Sequence, residues 1–424
     1  MRVTVTLEYR FSQLPDGSLW TATTFPYRFW RRYLEVFDEV KVVARARAFE
    51  SVPETWQQAT GPGVSALALP YYVGPLQYLR QWRQVERAVV SAFSPGDAML
   101  FRMSSRIGTI LRQEARRRGY PYGVEVVADP YDVFAPGAMR HPLRPLFRYA
   151  GYYGLRQACR DAVAAAYVTE EALQRRYPGG DDTYMAGFSD VELPDELFVG
   201  EPRLYAELPR PLRLVMVGGL NQLYKAPHIL VDAMTQLCSV LDAHVTFIGG
   251  GQYIEFLRRR AIAGGVGDRV IFAGEFPAGR AIMAALDEAD LFILPSFQEG
   301  LPRAMVEAMA RGLPCIGSSV GGIPELLASQ DIVVPGDPSA LAQKIIEVGT
   351  NTKRLTEMSA RNLARARDYT EEPIRRRRIA FYRELRERTE RFCTPGMMRP
   401  AEVVDAYFFD DIRRSGCAGA MARG

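Results

Sequence analysis

Short apolar runs alternate with helix-length amphipathic segments along almost the whole chain. In the first half the runs at 3–7, 39–44, 98–102 and 122–127 read as strands, and 24–36, 78–92 and 107–118 as helices. A proline- and acid-rich stretch at 193–211 has weak periodicity and reads as a linker between domains. The pattern then restarts more cleanly. Strands at 212–217, 244–248, 269–273, 291–295 and 315–318 each end at glycine or a turn, with helices predicted near 228–237, from Tyr253 and near 301–311. Alternation of this kind predicts two layered α/β domains with parallel sheets, and open parallel sheets bind ligands at the carboxyl ends of their strands. The segment 374–392 follows as a basic amphipathic helix with Ile379, Phe381, Tyr382 and Leu385 as its apolar members.

Composition narrows the class. The chain has 424 residues, 48% hydrophobic and 24% charged, which excludes a largely disordered protein and a small disulfide scaffold. Lys and Arg number 53 against 49 Asp and Glu, too even a balance for a dedicated nucleic-acid binder. The excess is local: residues 28–160 carry 20 basic against 11 acidic side chains. Arginines there interleave with aromatics, in PYRFWRRYLEVF (26–37) and RPLFRYAGYYGLRQ (144–157). Amphipathic packing helices carry this mix, and so do helices that lie on anionic membrane surfaces. The five cysteines and three histidines show no metal or disulfide spacing. Together with the lack of an apolar run long enough to span a bilayer, this predicts a cytoplasmic protein, at most peripheral at the inner face of the membrane.

The densest chemical signal is PSFQEGLPRAMVEAMARGLPCIGSSVGGIPELL, 295–327. Glu299 falls in a loop after a strand, and Glu307 lies inside the next helix. On one straight helix a spacing of eight would separate them by about 12 Å, too far for a close carboxylate pair. With Glu299 in the loop, both can face one crevice at different ends of an elongated ligand, and a helix N-terminus aimed there favours phosphate. Two solvated glutamates around an ordinary strand–loop–helix remain the alternative.

These residues carry a resemblance. Residues 212–345 are similar to the donor-binding domain of glycosyltransferase family 4 (group 1), retaining enzymes of the GT-B fold. The E-x7-E signature is met by Glu299 and Glu307, and the GG-x-P-E sequence by Gly321, Gly322, Pro324 and Glu325. The resemblance implies two Rossmann-like domains facing a central cleft, here 1–200 for the acceptor and 208–370 for a nucleotide-sugar donor. The stretch 371–424 would form a helix and tail packing back on the first domain. It implies that Glu299 meets the donor sugar, that Glu307 holds the ribose hydroxyls, and that the Gly300 and Leu301 amides help hold the sugar and diphosphate.

The family's second donor motif corresponds to Gly218, Gly219, Asn221 and Lys225. Lys225 is one of four lysines in the chain, a point charge suited to a diphosphate. The family arginine is replaced by Gly219 and a family glycine by Ala226, so Arg303 becomes a candidate for the second phosphate charge. Glu275 sits where the family often packs the base. Asp129 follows a strand near where many members place a polar side chain beside the reacting carbon; its alternative is a turn or helix-capping residue before Pro130. The loop 15–18 is either the family's glycine loop over the diphosphate or only a turn.

The expected activity is retaining transfer of a sugar from a nucleotide-diphosphate donor to a saccharide or lipid-linked saccharide acceptor, with no cofactor and no metal required. A nucleotide-sugar epimerase and a non-catalytic sugar-nucleotide-binding subunit are the rival expectations.

Overall fold

A computed structural model of the chain describes residues 1–22, 24–134, 142–277 and 279–394. The N-terminal sheet is built around the long strand Arg2–Gln13, which pairs in parallel with Glu39–Ala48 on one side and Ala98–Met103 on the other. Val64–Leu69 extends it at one end, and Tyr122–Val126, Ala164–Tyr167 and Tyr184–Gly187 at the other. These strands are Val-, Ala- and Leu-rich without strict alternation because both faces are covered. The helices Gly74–Val90, Arg106–Arg117 and Arg144–Asp161 share one core, while Trp30 and Tyr33 join the other.

The second sheet has six parallel strands, ordered Val270–Gly274, Ala243–Ile248, Leu212–Val217, Leu291–Leu294, Cys315–Ser318, Ile332–Val333. The chain enters in the middle, builds outward to one edge, then returns to build the other. A crevice opens where the order reverses, between Leu212–Val217 and Leu291–Leu294.

The carboxyl ends of the two sheets face each other. A Cβ on Gly300, in the loop after Leu291–Leu294, would stand 3.2 Å from the carbonyl oxygen of Val127 in the first domain. The two chain crossings run side by side, with the Leu193 amide donating to the Tyr369 carbonyl at 3.1 Å. The proline-rich stretch is not slack. The Val199 amide donates to the Ala310 carbonyl at 3.0 Å, and Arg203 donates to the carbonyls of Leu286 and Arg311 at 2.9 and 3.0 Å. Beyond the second crossing, the helix Glu371–Cys393 returns to the first domain, where Tyr382 donates to Glu125 at 2.9 Å.

Two open alternatives narrow. In the arginine–aromatic stretch 26–37 the aromatic face packs inward: Trp30 and Tyr33 are buried, with the indole N–H on the Phe25 carbonyl and the Tyr33 hydroxyl on Glu125, while Arg28 and Arg31 are exposed. The loop 15–18 closes a β-hairpin, because Arg2–Gln13 runs past the sheet and turns back antiparallel as Leu19–Thr21. Gly17 takes φ 83° there and Asp16 accepts from the Ser18 amide. The tail 395–424 lies outside the described residues.

Candidate active site

Strand Leu212–Val217 ends at Gly218, whose φ of 155° and missing Cβ let the Lys225 side chain fold back over the strand end. A Cβ there would lie 2.6 Å from Lys225 Cδ. Gly249 and Gly251 allow the neighbouring strand end an equally close approach; a Cβ on either would stand 2.1 Å from backbone at 218 or 220. The glycine triplet is thus a packing requirement of this crevice.

Across the switch point, the loop after Leu291–Leu294 is tied to the Lys225 loop by the Phe297 amide, which donates to the Tyr224 carbonyl at 2.7 Å. Lys225 Nζ donates to Glu299 Oε1 at 2.9 Å, and Ser296 Oγ donates to the same oxygen at 2.8 Å. Both charged side chains are largely buried, 13% and 8% exposed. Burial opposes the ammonium charge, but the facing Glu299 carboxylate together with Tyr224 outweighs it and raises the Lys225 pKa. Lys225 is held charged, aimed into the crevice.

The Gly321–Gly322 pair explains its own presence. Gly321 has φ 53°, and a Cβ on it would stand 2.0 Å from the Glu299 carbonyl oxygen. The Gly322 amide donates to the Gly300 carbonyl at 2.7 Å. The two motifs are therefore one structure, in which the glycine turn grips the backbone that carries Glu299. The amides of Gly300 and Leu301 donate no hydrogen bond among the described residues, and they precede the helix Arg303–Ala310. An anion has free N–H groups to meet there.

Glu307 sits within that helix, 12% exposed. Its carboxylate accepts no hydrogen bond among the described residues, and Arg303 Nη1 is 4.0 Å away. Burial raises its pKa, and Arg303 offsets this only in part. A largely enclosed carboxylate without a hydrogen-bond donor suits a ligand that brings hydroxyls.

The remaining sequence candidates separate. Gly219 borders open space: a Cβ added there would have nothing within 4 Å. Asn221 pairs with Gln252, Oδ1 accepting its amide at 3.2 Å. Glu275 is exposed and lies over Gly250, whose Cβ would meet its carboxylate at 2.5 Å. Arg303 is 57% exposed and reaches across the cleft to the Asp190 carbonyl at 3.3 Å. Asp129 is not a free carboxylate: it caps the short helix Pro130–Val133 through the Tyr131 amide, accepts from Tyr177 and pairs with Arg176. Both of its oxygens are engaged, Oδ1 by the Tyr131 amide and the Tyr177 hydroxyl and Oδ2 by Arg176, and the contact to the Tyr131 amide is the capping alternative.

Sequence reasoning gives no role to Glu325. Its carboxylate accepts the amides of Glu170, Glu171 and Ala172 at 2.6, 3.0 and 2.6 Å, at the start of the helix Ala172–Arg176 in the other domain. Arg365 joins the same contact, donating to the Glu325 carbonyl at 3.1 Å and to Glu170 at 2.8 Å. The GG-x-P-E spacing marks the residue, but its partners are more than 150 positions away in sequence.

Residues 211–351 match the family described as Glycosyl transferases group 1. Protein CapJ of Staphylococcus aureus is 24% identical over 323 residues, 76% of this chain and 80% of that protein. The amylovoran biosynthesis glycosyltransferase AmsK of Erwinia amylovora is 34% identical over 160 residues, 34% of this chain and 38% of AmsK. Among solved structures, sucrose-phosphate synthase from Thermosynechococcus elongatus superposes with a TM-score of 0.63 at 18% identity, over 91% of this chain and 99% of that one. Anabaena HepE in complex with UDP and glucose gives 0.56 at 17%, over 92% and 99%. Two sheets meeting carboxyl end to carboxyl end give the chain the GT-B fold, and the match of residues 211–351 to group 1 glycosyl transferases indicates a transferase enzyme.

Proposed function

We propose that the chain moves a sugar, with retention of anomeric configuration, from a nucleotide-diphosphate sugar to a saccharide or lipid-linked saccharide acceptor in bacterial polysaccharide or glycolipid synthesis. One arrangement supports the reading: the buried Lys225–Glu299 pair at the switch point, with free amides at Gly300 and Leu301 and, beyond, a Glu307 carboxylate that accepts no hydrogen bond among the described residues and faces only Arg303 at 4.0 Å. The names of CapJ's fellow relatives, which include an amylovoran biosynthesis glycosyltransferase, and the UDP and glucose bound by HepE point the same way.

In this proposal the diphosphate takes the place of Glu299 as the partner of Lys225 Nζ, which stabilises the charge that grows as the bond to the sugar breaks. Glu299, released from the lysine, is then free to accept from the sugar hydroxyls. Glu307 accepts from the ribose. A leaving-phosphate oxygen takes the acceptor proton on the same face, so no protein nucleophile is needed. Asp129 is left out of proton transfer, because Arg176, Tyr177 and the Tyr131 amide already hold it. Arg303 remains the candidate for the second phosphate charge, and Gly219 leaves room for the ligand where the family places an arginine.

The test is a panel of nucleotide sugars screened by thermal shift, followed by nucleotide release with and without candidate acceptors. Acceptor-dependent release with an α-configured product from an α-donor supports the reading. Turnover to an epimer without any acceptor, or binding with no turnover, would favour one of the rivals.

A further inference from the structure

The strands of the first sheet do not all end together. Past Thr6 the long strand Arg2–Gln13 leaves Ala98–Met103 and continues beside Glu39–Ala48. That strand in turn runs on to Ala48, beyond its last pair with Val64–Leu69 at Arg45. The two overhanging ends form a ledge at the carboxyl edge of the sheet, the edge that faces the cleft.

One face of the ledge is core, since Phe11 and Ala46 pack into the cluster that holds Trp30. Side chains alternate along a strand, so the other face carries Arg10, Arg45 and Arg47. Further back that same face is covered: Val43 and Leu69 share a core with the helices Gly74–Val90 and Arg106–Arg117. The ledge outruns both helices, and Arg10 and Arg47 are exposed.

Arg45 is neutralised from within. It is 9% exposed, donates to Glu8 Oε2 at 2.8 Å and to the Tyr72 carbonyl at 2.9 Å, and lies 4.3 Å over the Tyr72 ring. Glu8 is fixed in turn by the Ile107 amide at 3.1 Å, in the first turn of Arg106–Arg117. Arg10 and Arg47 have no such answer: neither pairs with a carboxylate among the described residues. Arg47 lies instead against aromatic rings, its guanidinium carbon 5.6 Å from the Phe49 centroid and 5.9 Å from that of Tyr71. Phe49 is itself exposed, with its ring 6.3 Å from Trp56 in edge contact.

This combination fits one class of ligand. A free guanidinium fork donates to both oxygens of a carboxylate or phosphate. An exposed aromatic face beside it offers an apolar plate to the C–H side of a sugar ring. A neutral saccharide would leave the cations unanswered, and a bare ion would leave the rings uncovered. Gly300 approaches the first domain at the end of Tyr122–Val126, two strands from Arg2–Gln13, so the ledge stands roughly 10 Å to one side. It is placed for a part of the acceptor away from the reacting hydroxyl.

We propose that this ledge binds an acidic group, carboxylate or phosphate, on the saccharide acceptor, with Arg10 and Arg47 as donors and Phe49 and Tyr71 against the sugar, and so selects acidic over neutral acceptors. Calling the saccharide an acceptor rests on the glycosyl-transfer reading; the site itself does not.

The test is a ligand-observed NMR titration of the full chain with trigalacturonate, its fully methyl-esterified form and inorganic phosphate. The acid should bind at least about tenfold more tightly than the ester, which has the same rings without charge, and than phosphate, which has no ring. Arg47→Gln should lower acid binding about tenfold and leave the ester unchanged, while Arg47→Lys, a charge without the fork, should fall between. Phe49→Ala should lower acid and ester alike, about threefold. Arg10→Gln, at an exposed position of the other strand, should act as Arg47→Gln does and serves if that variant fails to fold. Equal binding of acid and ester, no binding of the acid, phosphate binding as tight as the acid, or acid binding indifferent to both glutamine variants would overturn the proposal. UDP and GDP titrated into the same samples keep the two readings apart. Nucleotide binding without preference for the acid would overturn the ledge alone, and acid binding without either nucleotide would support the ledge while counting against glycosyl transfer.

Discussion

Glu307→Gln should separate stability from function. In the free protein the Glu307 carboxylate is 12% exposed, and its cationic neighbour Arg303 is 4.0 Å away and itself 57% exposed. Burial therefore raises its pKa. A carboxylate whose folded pKa lies above its unfolded value disfavours folding when ionised. That cost is present at neutral pH and is relieved as pH falls through the raised value. The amide has the same shape and no charge to desolvate, so the ligand-free variant should gain about 0.5–1 kcal/mol at pH 7, and the gain should shrink near pH 5. With donor bound, the balance reverses. A hydrogen bond to a charged acceptor contributes about 1.5–3 kcal/mol, and the amide oxygen replaces two charged acceptor oxygens with one neutral one. A loss of about 2–3 kcal/mol follows, or about 30- to 150-fold in affinity. Differential scanning calorimetry of the ligand-free variant and titration calorimetry with the nucleoside diphosphate that binds would measure both halves. If stability falls together with affinity, Glu307 is a structural residue. If affinity changes less than about twofold, the ribose role is wrong.

The Lys225–Glu299 pair is buried, so Lys225→Met or Glu299→Gln alone should destabilise by about 3 kcal/mol, and the double variant by clearly less than the sum; a denaturation double-mutant cycle with no coupling would remove the pair from the argument. Gly321→Ala places a Cβ 2.0 Å from the Glu299 carbonyl at φ 53° and should cost more than about 2 kcal/mol along with donor binding, whereas Gly219→Ala enters open space and should stay within about 0.5 kcal/mol by urea denaturation. Glu325→Ala strips three amides of their acceptor and should weaken the contact between domains by about 1–2 kcal/mol, seen as faster protease cleavage within 193–211; an unchanged rate would mean the contact does not restrain the domains. Transfer should persist in excess chelator, and activity that vanishes with chelator and returns with Mn²⁺ would overturn the metal-free mechanism.

Much of this protein is written locally. Apolar runs of four to six residues ending at glycine or a turn fix the strands of the second domain, because a buried parallel strand needs a continuous apolar segment and its end needs a turn. The strand Leu212–Val217 lies where periodicity puts it. The helix after Glu299 starts at Arg303, two residues past its expected start, because Pro302 takes an extended conformation and serves as its N-cap. The coupling of Glu299 to Gly321–Gly322 is visible as motif spacing.

Tertiary structure decided what the same side chains do. The aromatics at Trp30, Tyr149 and Tyr153 cannot be told apart by composition, since each lies in an arginine-rich helical stretch. Trp30 is buried against the sheet while Tyr149 and Tyr153 face outward, because burial depends on which helix face meets the sheet and how far the helix outruns it. Asp129 follows a strand as a reacting group might, and only the arrival of Arg176 and Tyr177 from 47 and 48 residues away shows its charge already engaged. Lys225 and Glu299, 74 residues apart, become partners because strand order reverses between them. Residue type and local period set which elements form; the pairing of charges across them is a long-range outcome of sheet order, which no local window contains.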